Sequence, residues 1–146
     1  MECAICARWR DRRPHEGSVG GLVYEDDHWY AYHAPVATAA LGHLFLASER
    51  HFLDFAEMPP AEAASYGPVL GRRCAALKRV VQAERIYTLV TVEGVPHFHA
   101  WLIPRKRGLE ERGWALITSP RSCSVDDALR VAAELRDLLT REAPAT

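Results

Sequence analysis

The most constraining feature of the chain is the segment of residues 97–105, His-Phe-His-Ala-Trp-Leu-Ile-Pro-Arg. Successive side chains of an extended strand point to opposite faces, so we expect His97, His99 and Trp101 on one face. A single strand histidine is usually a hydrogen-bonded structural group. Two at this spacing allow one ring to bind a metal while the other attacks a substrate or transfers protons. The segment therefore predicts a strand that carries a functional site.

The remaining sequence alternates short apolar or aromatic segments with two longer helical patterns. Strands are predicted at residues 20–26, 29–33, 42–48, 86–92 and 97–104. Apolar residues at helical spacing follow Pro60, and a second helix is expected from Ser124 to about Arg141, with a frayed tail at 142–146. This order predicts an α+β fold, with an antiparallel sheet of about five strands, a long central helix and a C-terminal helix.

Composition narrows the classes of protein that remain. A chain of 146 residues suits one domain, which we place at 1–146. The formal charge of −1 gives no general electrostatic reason to bind nucleic acid, and no apolar run is long enough to span a membrane. The start of the chain does not resemble a secretory signal, so a cytoplasmic location is expected. In that compartment the cysteines are expected to be thiols or metal ligands.

Residues 94–105 resemble the signature of the histidine-triad superfamily of nucleotide hydrolases and transferases. The resemblance extends to residues 42–46, to His51 in the segment Glu-Arg-His, and to a Cys-x-x-C near the N-terminus that is similar to the zinc-bearing bacterial branch. It implies a histidine-triad-like fold, with His99 as the covalent nucleophile and His43, the family's fourth histidine near the nucleophile, as a second catalytic residue. In such enzymes the imidazole attacks an α-phosphorus, and water then releases a nucleoside monophosphate.

The same resemblance implies a Zn²⁺ site. The ligand positions of the zinc-bearing branch fall on Cys3, Cys6, His51 and His97. A Cys-x-x-C alone could also be a redox pair, but two thiolates and two imidazoles together suit tetrahedral zinc, and a closed set of four ligands is typical of structural sites.

Three departures from the family pattern fall on the substrate side. Trp101 replaces the third histidine, and an indole N–H cannot transfer a proton near neutral pH. His33 stands near the position of the acidic residue that would bind ribose, and residues 92–96 replace a loop rich in phosphate donors. We take Trp101 and His33 as candidate substrate-binding residues of a changed pocket.

Three functions remain open at this point. The first is a nucleotidyl hydrolase or transferase that uses His99 on a nucleotide-like phosphoester or phosphoramidate. The second is a zinc-dependent hydrolase or lyase acting on a small non-nucleotide metabolite, which needs an open metal position. The third is a non-catalytic binding protein that retains the fold. The resemblance also implies a homodimer.

Overall fold

A computed structural model describes residues 2–142 of the chain. Its elements in chain order are α1 (Ala4–Arg10), β1 (Leu22–Glu25), β2 (Trp29–His33), β3 (Leu44–Ser48), a 3₁₀ turn (Phe55–Glu57), α2 (Pro60–Val80), β4 (Ala83–Leu89), β5 (His99–Lys106), α3 (Trp114–Thr118) and α4 (Val125–Arg141). The frayed tail expected at 142–146 lies, apart from Glu142, outside the described residues.

The strands form one antiparallel sheet in the order β1-β2-β3-β5-β4, which confirms the predicted α+β architecture. β1 and β2 are joined by a tight turn, because the Asp26 carboxylate accepts the N–H groups of His28 and Trp29, each over 2.8 Å. β3 and β5 lie side by side in the centre, with Phe45 opposite Trp101. The two strands that carry the sequence motifs are therefore neighbours.

Alternation along the central strands separates two faces. Phe98, Ala100 and Leu102 are fully buried in the main core, which also contains Leu77 of α2 and Leu135 of α4. The helices thus cover one face of the sheet and place the intervening side chains of β5 on the other.

The second face is partly covered by α1, which the sequence did not predict. Trp9 stacks on Tyr30 of β2 with ring centroids 3.7 Å apart, and Ile5 is buried beside them. This cover explains why all five residues of β2 are buried. The other unpredicted helix, α3, is shorter still, with 5 residues against 7 in α1, and both are below the length at which periodicity is informative.

The C-terminal helix begins as predicted, because the Ser124 hydroxyl accepts the N–H of Asp127 over 3.1 Å. Helical spacing in the sequence also predicts Leu129 on the buried face of this helix. Leu129 is 44% exposed, and Ala128 and Val131 are buried instead. Within residues 2–142, no helix combines the length and the apolar composition needed to cross a bilayer.

Candidate metal centre and histidine pocket

Four predicted ligands meet where the start of α1 approaches the ends of β3 and β5. One donor atom from each of Cys3, Cys6, His51 and His97 lies within 4.8 Å of all the others. The Nδ1 atom of His97 is 3.6 Å from the Cys3 sulfur and 3.4 Å from the Cys6 sulfur, and the Cys6 sulfur is 3.6 Å from Nδ1 of His51. The fold therefore brings together residues that are far apart in the sequence.

The orientation of His97 is fixed by β3. Its Nε2 lies 2.7 Å from the carbonyl oxygen of Ser48, and because a carbonyl can only accept, Nε2 carries the proton. The lone pair on Nδ1 consequently faces the two thiols. Burial lowers the pKa of His97, which favours the neutral ring that metal binding requires.

The spacing of these atoms fits a tetrahedral ion. Bonds of about 2.0–2.3 Å in a tetrahedral shell place neighbouring ligand atoms about 3.3–3.8 Å apart. The three sulfur-to-nitrogen distances given above, 3.4, 3.6 and 3.6 Å, fall in that range. Burial, followed by the hydrogen bond and charge of Cys3, raises the pKa of Cys6 to about 11. A bound cation would offset the repulsion between the Cys3 and Cys6 thiolates and favour the deprotonated form of both. The cluster is therefore suited to a metal ion.

Arg50 connects this centre to the central helix. Its guanidinium contacts both carboxylate oxygens of buried Glu62, over 2.9 and 3.0 Å, and donates to the Glu57 carbonyl oxygen over 2.9 Å. The bidentate pair fixes the backbone next to His51. The role of Arg50 as a positioning residue is not visible in the sequence, because its partner Glu62 lies on a different element, α2.

His99 lies on the open face of the sheet, two residues before Trp101 on β5. Its Nδ1 is 2.7 Å from the carbonyl oxygen of His97, so Nδ1–H donates and Nε2 keeps its lone pair. The ring is half-buried and lies edge-on to Phe45, with centroids 6.0 Å apart. This is the arrangement that a nucleophilic imidazole needs.

No protein-family model and no curated protein matches the chain. Solved structures do match it along most of its length. A Zn-bound histidine triad family protein from Mycobacterium smegmatis is 21% identical, with a TM-score of 0.73 and coverage of 97% of this chain and 99% of that one. The chain has the histidine-triad fold.

Two further structures with the histidine-triad fold are similarly close. A hypothetical histidine triad nucleotide-binding protein from Sulfolobus tokodaii is 19% identical, with a TM-score of 0.72, and the match covers 95% of this chain and 93% of that one. A Hit-like protein involved in cell-cycle regulation from Bartonella henselae is 23% identical, with a TM-score of 0.68, and the match covers 92% of this chain and 95% of that one.

Within this histidine-triad fold, His43 does not lie beside His99. Phe45 is opposite Trp101 and Ala47 is opposite His99, so the Phe45–Trp101 pair stands between the two histidines. The His43 ring instead packs against Trp101, with centroids 5.6 Å apart. Burial, with a smaller contribution from His33, lowers the pKa of His43 to about 4, so the ring is neutral at pH 7.

His33, a candidate substrate-binding residue, has a structural position. It has no exposed surface, its Nδ1–H donates to the Ala34 carbonyl oxygen over 2.7 Å, and its Nε2 accepts the Gly42 N–H over 2.9 Å. Both ring nitrogens are therefore engaged by the backbone of the β2–β3 loop. The ring fixes that loop and has no atom left for a ligand.

Trp101, the other candidate substrate-binding residue, lines a cavity of about 270 Å³ on the open face of the histidine-triad sheet. The cavity is bounded by the β2–β3 loop, by β5 and by residues of the segment 107–124, and His43 also lines it. Arg121 and Lys106 supply its positive charges. Arg121 could not be singled out from the sequence, because it lies in an irregular segment between α3 and α4 that has no periodic pattern.

Proposed function

We propose that the protein is a nucleotidyl hydrolase or transferase that uses Nε2 of His99 on a nucleotide-like phosphoester or phosphoramidate. The observation that carries this proposal is the 2.7 Å hydrogen bond from His99 Nδ1–H to the His97 carbonyl oxygen. It fixes the tautomer in which Nε2 is the nucleophilic atom. The name of the Sulfolobus tokodaii structure, a histidine triad nucleotide-binding protein, supports the ligand class.

The proposed metal is Zn²⁺, and its role is structural. Two cysteines and two histidines are a typical ligand set for structural zinc, and the Mycobacterium smegmatis structure of the same fold is Zn-bound. When bound, zinc would hold the start of α1 against the sheet through Cys3 and Cys6. Four protein ligands fill a tetrahedral shell, which argues against the alternative of a hydrolase or lyase that needs an open metal position.

The reaction proceeds in two displacements. Nε2 of His99 attacks the α-phosphorus, a P–N bond forms, and the bond to the leaving group breaks with its electron pair on that group. Water then attacks the same phosphorus, the P–N bond breaks, and a nucleoside monophosphate leaves while the water proton passes to solvent. His99 returns to its starting tautomer because the His97 carbonyl still holds Nδ1–H.

The chain's own residues limit which leaving groups can depart. Trp101 occupies the position of the family's third histidine, and its indole N–H is not a transferable proton. His43 is neutral at pH 7, because its pKa is about 4. Neither can protonate the departing atom. We therefore infer substrates whose leaving group is already a weak base, such as a phosphate or a phenolate, or is protonated in solution.

The test is turnover of aryl esters of adenosine monophosphate with phenols of graded acidity, together with adenosine 5′-phosphoramidate. We expect release of adenosine monophosphate to fall steeply as the phenol becomes less acidic, and to be lost in His99→Ala. The control is His28→Ala, a histidine of the β1–β2 turn that belongs neither to the metal cluster nor to the lining of the cavity. Equal turnover by His99→Ala and the parent protein, at equal metal content, would contradict the proposal.

A further inference from the structure

We propose that the cavity beside Trp101 is a binding site for a small organic oxyanion, and that Arg121 recognises its charged group. The expected ligand has a carboxylate or phosphate on a compact apolar body. The volume of about 270 Å³ is near the lower end for small-molecule sites, so the body is about the size of one aromatic ring.

The cavity has apolar walls from separate parts of the chain. Trp101 and Ile103 project from β5, Leu41 comes from the β2–β3 loop, and Leu116 and Ile117 come from α3. Leu116 is only 4% exposed, so its side chain is anchored in the structure. Aromatic and branched side chains of this kind bind the apolar part of a ligand.

Arg121 gives the cavity a directional polar group. Its Nε and Nη2 atoms are buried and have no hydrogen-bond partner among residues 2–142. The nearest ion-pair partner is the carboxylate of Glu111, 3.4 Å from Nη2, which is itself partly exposed. Buried donors are almost always paired, and a guanidinium presents two parallel N–H groups that match an oxyanion. The Nε–H of Arg121, which has no partner in the described residues, and Nη2, which is paired only with the carboxylate of Glu111, therefore suit a carboxylate or phosphate that takes the place of Glu111.

A second unpartnered atom belongs to the same cavity lining. The Nε2 atom of His43 is buried without a hydrogen-bond partner in the described part of the chain. Six buried side-chain polar atoms lack partners there, and three of them belong to Arg121 and His43. Such atoms are few in native structures, and two of the five residues that carry them here line this one cavity, which points to a polar ligand.

The charge of the lining has one sign. Lys106 and Arg121 contribute positive charge, Ser122 contributes a hydroxyl, and no Asp or Glu of the described residues lines the cavity, while Glu111 pairs with Arg121 from outside the lining. The segment that carries Arg121 is held in place because Cys123 N–H donates to the Val36 carbonyl oxygen over 3.0 Å. The cavity is therefore formed before an anion binds, which reduces the entropy lost on binding.

This inference does not rest on catalysis by His99, which does not line the cavity. Binding can therefore be measured in the His99→Ala variant, where no turnover is expected. Loss of activity with retained anion binding would count only against the proposed reaction.

The probes are benzoate and phenyl phosphate, with benzamide as the neutral control of matched shape. We expect the anions to bind His99→Ala in calorimetry and to shift the Trp101 indole N–H signal in nuclear magnetic resonance spectra, while benzamide binds at least about tenfold more weakly. Binding of benzoate alone would identify a carboxylate ligand, and preference for phenyl phosphate would identify a phosphate ligand; either supports the site. Equal binding of benzamide and both anions, or no binding of any probe at millimolar concentration, would overturn it.

The deciding variants are Arg121→Gln and Arg112→Gln, two substitutions on the same segment. Arg112 does not line the cavity, so its loss is expected to leave anion binding unchanged. Arg121→Gln should weaken anion binding about tenfold or more and leave benzamide binding as it was, whereas Arg121→Lys should retain part of the affinity. Unchanged anion binding in a folded Arg121→Gln variant would overturn the assignment of Arg121.

Discussion

His97 donates its Nε2–H to the carbonyl oxygen of Ser48 over 2.7 Å, and its Nδ1 therefore faces the thiols of Cys3 and Cys6. One imidazole thus connects the end of β3 to the start of α1. This connection fixes the start of α1, while the packing of Ile5 and Trp9 against β2 holds the rest of so short a helix.

Cys6→Ala is expected to abolish metal binding and to release α1 from the sheet. The physical reason is that three remaining ligands no longer close the tetrahedral shell, and the metal's binding free energy also stabilises the folded state. Elemental analysis should show no stoichiometric metal, and amide hydrogen exchange should accelerate over Ala4–Arg10.

The matched control is Cys74→Ala, which removes a half-buried cysteine of α2 that lies outside the cluster. It should retain the metal and normal exchange in α1. Retention of one metal ion per chain by Cys6→Ala would contradict the ligand assignment.

His33→Leu is expected to lower the free energy of unfolding by about 1–3 kcal/mol, because it leaves the buried Gly42 N–H without its acceptor. The variant should bind benzoate and turn over substrate as the parent does, once folded. Urea unfolding measures the first effect and calorimetry the second. A selective loss of ligand binding with unchanged stability would restore His33 as a substrate-binding residue.

His43→Gln is expected to make the protein more resistant to acid. The pKa of His43 is about 4 in the folded protein against 6.5 in the unfolded chain, so the unfolded chain takes up this proton first as the pH falls. The folded state consequently loses stability below about pH 6.5. Between pH 7 and pH 5, the free energy of unfolding of the variant should rise relative to the parent by about 2 kcal/mol.

Denaturant unfolding at each pH measures that difference, and comparison of the two proteins cancels the contributions of the other histidines and of the metal. A constant difference between the two proteins from pH 7 to pH 5 would show that His43 titrates normally.

Gly20→Ala and Gly71→Ala are expected to change stability in opposite directions. Gly20 has a φ of +83°, and an added Cβ would lie 2.5 Å from the Cβ of Ala132 in α4, so β1 and α4 would have to separate. We expect a loss of about 2–3 kcal/mol. Gly71 is exposed in α2 with nothing within 4 Å of an added Cβ, and alanine there should gain up to about 1 kcal/mol. Thermal unfolding of both variants checks the pair, and destabilisation by both would contradict the described packing.

The sequence was sufficient for those parts of the structure that depend on periodicity or on chemically distinctive residues. Alternation along the segment of residues 97–104 correctly separates Phe98 and Ala100 from His99. The resemblance to the zinc-bearing branch predicts that Cys3, Cys6, His51 and His97 meet, and the structure brings them together. These features are local, or they belong to residue types with few other uses.

The remainder depends on tertiary contacts that leave no sequence pattern. His33 has the residue type of a functional group, but the Ala34 carbonyl and the Gly42 N–H occupy both of its nitrogens. Arg121 is one arginine among many, and it becomes distinctive only because its donors are buried without partners. Burial and hydrogen-bond satisfaction are properties of the folded chain, so spacing alone could not reveal either role.

The metal cluster also determines when in protein synthesis this fold can be completed. Cys3 and Cys6 leave the ribosome first, but the fourth ligand, His97, follows only after β4 has been made. The contact between Cys6 and His97 encloses most of the chain in one loop, and closing such a loop is slow. The Cys6 thiol is therefore made 91 residues before its partner His97, and the nascent helix α1 gains its place on the sheet only after the strands have assembled.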